Sequence, residues 1–169
     1  MRVGKNSFFR IITAGYITVI RQTPLLIQLM CWYFVGFLSI RNNSSLNLSN
    51  VVNISNKGIE LFGLNLSSEF SALLFGLSIF SSAFIAEVIR GGIQSVPVGQ
   101  WEAFRSLGIS EKQGFIKIII PQALPAFIPG LTSQYLNLAK NSTLAIAIGY
   151  ADIYAINDTI INQTGRAVE

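Results

Sequence analysis

The stretch PVGQWEAFRSLGISEKQGFIKIIIP, Pro97 to Pro121, decides how this chain is read, because its local signals define two short helices joined at Gly108. Pro97 can open the first helix, where a missing N–H is not needed. Gly108 suits the left-handed position just past a helix end, and Ile109 can then touch Phe104 as the hydrophobic partner of the closing turn. Ser110 caps the second helix while Gln113 supplies the reciprocal side chain, the S-x-x-Q form of a capping box. A plain connector needs none of these signals. The elbow they build carries Trp101, Phe104 and Leu107 near its tip, which suits docking on another protein.

What flanks the elbow is apolar. Gln122 to Ala139 is interrupted by Pro125, Pro129 and Gly130, and is expected to be a bent membrane crossing whose unpaired carbonyls face other helices or a wet cavity. Beyond it, Thr143 to Tyr150 reads as a short re-entrant or buried piece, and from Asp152 the chain turns polar. On the other side, Phe70 to Ile89 holds one charge, Glu87, near its end, and Gly76, Ser78, Ser81, Ser82, Ala83 and Ala86 offer small surfaces for close helix packing. Pro24 to Ile40 is uncharged and reaches roughly 25 Å at 1.5 Å per residue, enough for a further crossing, with Pro24 in its first turn and Arg21 just outside. Ser7 to Ile20 reads as an amphipathic approach along the interface. The Asn- and Ser-rich stretch 41–69 reads as an extramembrane loop.

Composition agrees. Apolar residues make up 51% of the 169 positions and charged ones 12%, against about 25% charge in soluble domains. The absence of histidine excludes imidazole acid–base chemistry, Ser-His triads and His-ligated metals. Cys31 is alone in an apolar run and reads as a small hydrophobe. The net charge of +4 comes with no Lys/Arg cluster dense enough for a phosphate backbone, so nucleic acid is not a partner. Arg2, Lys5, Arg10 and Arg21 precede the first crossing, and Arg90, Arg105, Lys112 and Lys117 lie between the second and third. Only Arg41 and Lys57 fall in 41–69. The positive-inside rule therefore places the N-terminal region and the 90–121 loop in the cytoplasm and the Asn/Ser loop outside. The reading is an all-α membrane protein, one domain over 1–169 with spans at about 24–40, 70–89 and 122–139 among membrane lipid. No G-x-x-x-x-G-K-[ST] occurs, so ATP is not expected to bind this chain, and no cofactor or metal is expected.

At Glu102-Ala103, Gly108, Ile118 and Pro121 the spacing resembles the E-A-A-x3-G-x9-I-x-L-P loop of bacterial ABC importer permeases, with Phe104 for the second alanine and Ile120 for the leucine. Arg21-Gln-Thr-Pro-Leu-Leu-Ile-Gln28, Ala83-Phe-Ile-Ala-Glu-Val-Ile-Arg-Gly-Gly-Ile-Gln-Ser-Val-Pro97, Pro121-Gln-Ala-Leu-Pro125 and Leu138-Ala-Lys-Asn-Ser-Thr-Leu144 are similar to the polar and general L-amino-acid permeases of the histidine and glutamine type. The resemblance implies a family core of five crossings, so that the three found here would make the chain incomplete at both ends. It also implies a bacterial inner-membrane location, amino-acid cargo, a second permease subunit (identical or paralogous), a periplasmic substrate-binding protein and a separate ABC ATPase. Trp101, Glu102, Ala103, Phe104, Gly108, Ile118 and Pro121 would form the loop that enters a groove on the ATPase. Glu102 would pair there with basic groups or hold the elbow's own N–H groups.

Amino acids carry both charges, so Gln28, Glu87, Gln134, Asn137 and Lys140 are candidates for a substrate pathway. The plainer readings stand beside these. Glu87 and Arg90, three apart, can form an intrahelical pair that anchors the loop, Lys140 can snorkel to the interface, and Trp32, Tyr33, Phe34 and Phe37 can be packing or lipid-facing surface. A secondary carrier or channel would also show spans with prolines, but gives no reason for a capped elbow. A non-conducting structural subunit predicts that substituting Gln28, Glu87 or Lys140 leaves uptake unchanged.

Overall fold

The structure, a computed structural model, describes residues 7–40, 46–49 and 52–165. Arg2, Lys5, Arg41 and the polar residues 42–45 and 50 of the sequence reading lie outside them. Helix α1 (Ser7–Gln22) is followed by α2 (Leu25–Met30), which runs on as a π-helical stretch Cys31–Phe37. Four short strands come next, β1 (Leu46–Ser49), β2 (Val52–Ser55), β3 (Gly58–Leu61) and β4 (Leu64–Ser67). The rest is helical: α3 (Ser68–Gln94), α4 (Val98–Ser106), α5 (Glu111–Gly114), a π-helical Phe115–Ile119, α6 (Ile120–Asn141), a 3-10 turn Ser142–Ile148 and α7 (Ile153–Thr164). Two helical runs are long and apolar enough to cross a membrane, Ser68–Gln94 with 27 residues and Glu111–Ile148 with 38. At the expected span 24–40 the helix runs over Leu25–Phe37; Pro24, with an extended ψ of 136°, precedes its first turn instead of sitting in it, and residues 38–40 form a turn.

The chain divides into two compact units, residues 1–21 with 81–137 and residues 22–80 with 138–169. In the first, α1 touches α3 through two side chains. Tyr16 Oη is 2.7 Å from Ser82 Oγ, and Arg21 stands over the Phe84 ring at 5.4 Å. Helix α1 also exposes Phe8, Ile11 and Val19, apolar surface that suits lipid better than water. In the same unit, α3 and α6 approach through two reciprocal glycines. A Cβ on Gly92 would come within 2.7 Å of Phe127 Cβ, and one on Gly130 within 2.7 Å of Val88 Cγ1. Only a bare backbone admits such closeness. Pro125 and Pro129 lie inside α6, and the Ser133 hydroxyl donates to the Pro129 carbonyl at 3.1 Å, a local partner for backbone near the proline-interrupted turns.

In the second unit, the stretch 41–69 that reads as an extramembrane loop carries strands over its described residues. β1 to β4 form an antiparallel sheet in sequence order, registered by Ile54 opposite Ile59 and Ile59 opposite Leu66. The reason is period. Leu-Asn-Leu-Ser, Val-Asn-Ile-Ser, Gly-Ile-Glu-Leu and Leu-Asn-Leu-Ser alternate with the two-residue repeat of a half-buried strand. Ile54 and Ile59 reach a core of Leu25, Leu29, Phe37, Leu73, Ala145 and Ile148. The tight turn between β3 and β4 places both Phe62 (φ 51°) and Gly63 (φ 81°) in left-handed conformations, as a two-residue hairpin requires. Beyond Asp152 the polar chain is helical: Asp152 accepts a hydrogen bond from the Ala155 N–H at 3.0 Å and so caps α7.

Candidate functional site

The turn of the elbow is closed by backbone hydrogen bonds. At the end of α4, Gly108 takes φ 71°, its N–H donates to the Arg105 carbonyl at 3.0 Å and the Ile109 N–H to the Phe104 carbonyl at 3.1 Å. Those two bonds are the Schellman closure, and they satisfy carbonyls the helix end would otherwise leave open. Ser110 Oγ then accepts from the Gln113 N–H at 3.4 Å to begin α5.

Underneath lies a small core of Val96, Trp101, Phe104, Ile119 and Ala123, with Ile93, Ile109, Phe115, Ile118 and Phe127 around it. Trp101 and Phe104, expected at the docking tip, face inward instead, Phe104 with only 1% of its surface exposed. They hold the elbow together, because Ile119 and Ala123 from the following helix offer them an apolar bed. Phe104 fits in place of the alanine of the family pattern because Gly114 leaves room for its ring. What the elbow exposes is Leu107, 76% accessible, Val98 at 55% and Ile116 at 51%, together with Glu102 and Ala103. The Glu102 carboxylate makes no ion pair among the described residues, and its carbonyl accepts from Ser106 Oγ at 3.0 Å. Ile118 is half-buried against the elbow core and Pro121 is exposed at the start of α6.

Sequence reading missed the group across the outside of the turn. Arg105 Nε donates to Glu111 Oε1 at 2.6 Å and its Nη2 reaches Oε2 at 3.4 Å, while the guanidinium stands 5.6 Å from the Phe104 ring and 5.9 Å from Trp101. Hydrogen bonding to Glu111 raises the Arg105 pKa above its ordinary value. The available signal was a pair of opposite charges placed symmetrically about Gly108.

The pathway candidates fall in both units. Gln28 is buried in α2, where its amide Nε2 donates to the Thr23 carbonyl at 3.1 Å and to Thr23 Oγ1 at 2.6 Å, which ties down the start of that helix. Lys140 is exposed near the end of α6 and its carbonyl accepts from Thr143 Oγ1 at 2.8 Å. Those two belong to one unit, and Glu87, Gln134 and Asn137 to the other. Glu87 receives Arg90 at 3.0 and 2.6 Å and lies 3.6 Å from Arg21, so its charge is met by two guanidinium groups. Gln134 is half-buried and Asn137 exposed along α6. Among the described residues, no group of three Asp, Glu, Cys or His side chains is placed to hold a metal.

Two apolar helical runs of membrane-crossing length, with an ordered elbow between them, have the build of a helical membrane protein. The chain belongs to the family of binding-protein-dependent transport system inner membrane components, whose sequence profile matches residues 1–164. It is 56% identical over 108 residues to the putative amino-acid ABC transporter permease protein YhdX of Escherichia coli K12, covering 63% of this chain and 28% of that one. With the general L-amino acid transport system permease protein AapQ of Rhizobium johnstonii it shares 52% over 101 residues, 60% of this chain and 25% of the relative. With the probable glutamine ABC transporter permease protein GlnM of Bacillus subtilis it shares 37% over 150 residues, 89% of this chain and 58% of the relative. The chain thus spans about a quarter of the first two relatives and over half of the third. A solved structure, titled as the crystal structure of an amino acid ABC transporter with histidines, is 34% identical and superposes with a TM-score of 0.72 over 96% of this chain and 65% of that one.

Proposed function

We propose that this chain is part of the permease subunit of an ATP-driven importer of polar or general L-amino acids in the bacterial inner membrane, and that residues 97–121 couple it to a separate ABC ATPase. The supporting observation is the elbow itself. It is closed at the end of α4 by backbone hydrogen bonds and at the start of α5 by the Ser110 side chain, filled by Trp101 and Phe104, and leaves Leu107 exposed. A filled, capped elbow moves as one piece, so a displacement imposed at Leu107 reaches α6 through Ile119 and Ala123 without first being absorbed in bending. The relatives named for amino-acid transport support the cargo class. A second permease subunit and a periplasmic binding protein complete the assembly, in keeping with the family of binding-protein-dependent transport components.

The coupling role predicts that an ATPase subunit co-purifies with the full-length permease and that Gly108→Val abolishes both co-purification and ATP-dependent uptake of a labelled amino acid, because a β-branched residue strains a φ of 71°. Uptake that persists in Gly108→Val, or that proceeds without ATP, would point to a secondary carrier. The Glu87–Arg90 pair, engaged also by Arg21, supports an anchoring role for Glu87 ahead of direct contact with substrate.

A further inference from the structure

We propose that Arg105 and Glu111 form a clasp that sets the angle between α4 and α5, and with it the amount of amino acid moved per ATP hydrolysed; this rests on the coupling role of the elbow proposed above. The two residues stand three positions before and three after Gly108. A Cβ built on Gly108 would meet nothing within 4 Å, so no neighbouring group packs against the turn residue itself, and beyond its two backbone hydrogen bonds the angle is held by the contacts on either side. From inside, the angle is limited by Phe104 lying against Gly114. From outside it is limited by the guanidinium fork on Glu111, with distances of 2.6 and 3.4 Å. The same guanidinium lies within 6 Å of both aromatic rings of the elbow core, so one side chain touches α5 by its fork and α4 by its planar face. Arginine alone combines these contacts, because an ammonium has neither the fork nor the plane.

Stability is a poor account of the pair. Its side chains are 47% and 67% exposed, and exposed ion pairs add little to folding. What a two-point contact adds is a defined angle. Arg105 is thus a positioning residue, acting on the ATPase contact through the direction in which Leu107 points.

The test uses the assembled transporter, with full-length permease, ATPase and binding protein in proteoliposomes, and reads amino acid imported per ATP hydrolysed. Arg105→Gln and Glu111→Gln are each expected to lower that ratio about two- to threefold, the lower range for residues in direct contact, while the ATPase still co-purifies. Arg105→Lys should recover little of the loss, and the exchange Arg105→Glu with Glu111→Arg should recover part of it. An unchanged ratio in all four variants overturns the clasp, as does loss of ATPase binding in Arg105→Gln, which would make Arg105 a contact residue. A wild-type permease that binds no ATPase would instead overturn the coupling role itself.

Discussion

Gly114 and Phe104 define a contact whose energetics can be worked from the structure. Gly114 has helical angles, φ −59° and ψ −44°, so alanine is acceptable to the backbone and should favour the helix by about 1 kcal/mol. The added Cβ, however, would fall 2.6 Å from Phe104 Cε2 and 2.7 Å from its Cγ. Overpacking of that kind costs about 1–3 kcal/mol, and the ring cannot retreat because it is enclosed by Trp101, Phe115 and Ile119. Gly114→Ala is therefore expected to destabilise the elbow by about 0–2 kcal/mol net, the difference of those two effects. Phe104→Ala alone should cost about 3–5 kcal/mol. In that background the clash is gone, and Gly114→Ala should stabilise by about 1 kcal/mol. The sign reversal is the diagnostic result, corresponding to a coupling energy of about 1–3 kcal/mol. Hydrogen exchange at the amides of Gly108, Ile109 and Gln113 reports local opening of the elbow and is the appropriate assay. The reasoning is refuted if Gly114→Ala protects those amides in the parent, or weakens them equally with and without the Phe104 ring.

Three further outcomes are expected. Phe62→Asn should stabilise the β3–β4 hairpin by roughly 1 kcal/mol, since asparagine tolerates the φ of 51° that strains a bulky residue; slower exchange of the Leu61 and Leu64 amides would be the readout. Asp152→Ala should loosen the first turn of α7 by about 0.5–2 kcal/mol, and an unaltered exchange rate at the Ala155 amide would contradict the cap. Gly92→Leu should separate α3 from α6, because even a Cβ there would lie 2.7 Å from Phe127 Cβ; a disulfide between cysteines placed at Val88 and Gly130, formed in the parent and lost in Gly92→Leu, would report that separation.

The elbow was legible because its signals are backbone rules confined to a few residues, a glycine at the left-handed position and a serine three before the amide it caps. The burial of Trp101 and Phe104 was not, since it depends on Ile119 and Ala123, whose approach is a tertiary matter. The helical class and the membrane composition came through directly from the apolar runs. The sheet at 46–67 escaped because its Asn and Ser content was weighed above its alternation, although Val52-Asn-Ile-Ser reads as a strand by period alone. For α7, the Asp152 cap and the 153, 156, 160 spacing of isoleucines were on view, but the polar residues between them hid the pattern. The Arg105–Glu111 clasp crosses a turn, outside the reach of helical spacing rules.

One junction in the second unit has a mechanical consequence. β4 ends at Ser67 and α3 starts at Ser68 with no residue between; the Phe70 N–H donates to Ser67 Oγ at 3.2 Å and Ser71 Oγ to the Leu66 carbonyl at 3.4 Å, with Ser71 wholly enclosed. Strand and rod are welded there without a swivel. Whatever grips the sheet holds a lever on the helix, and a twist given to one must turn the other.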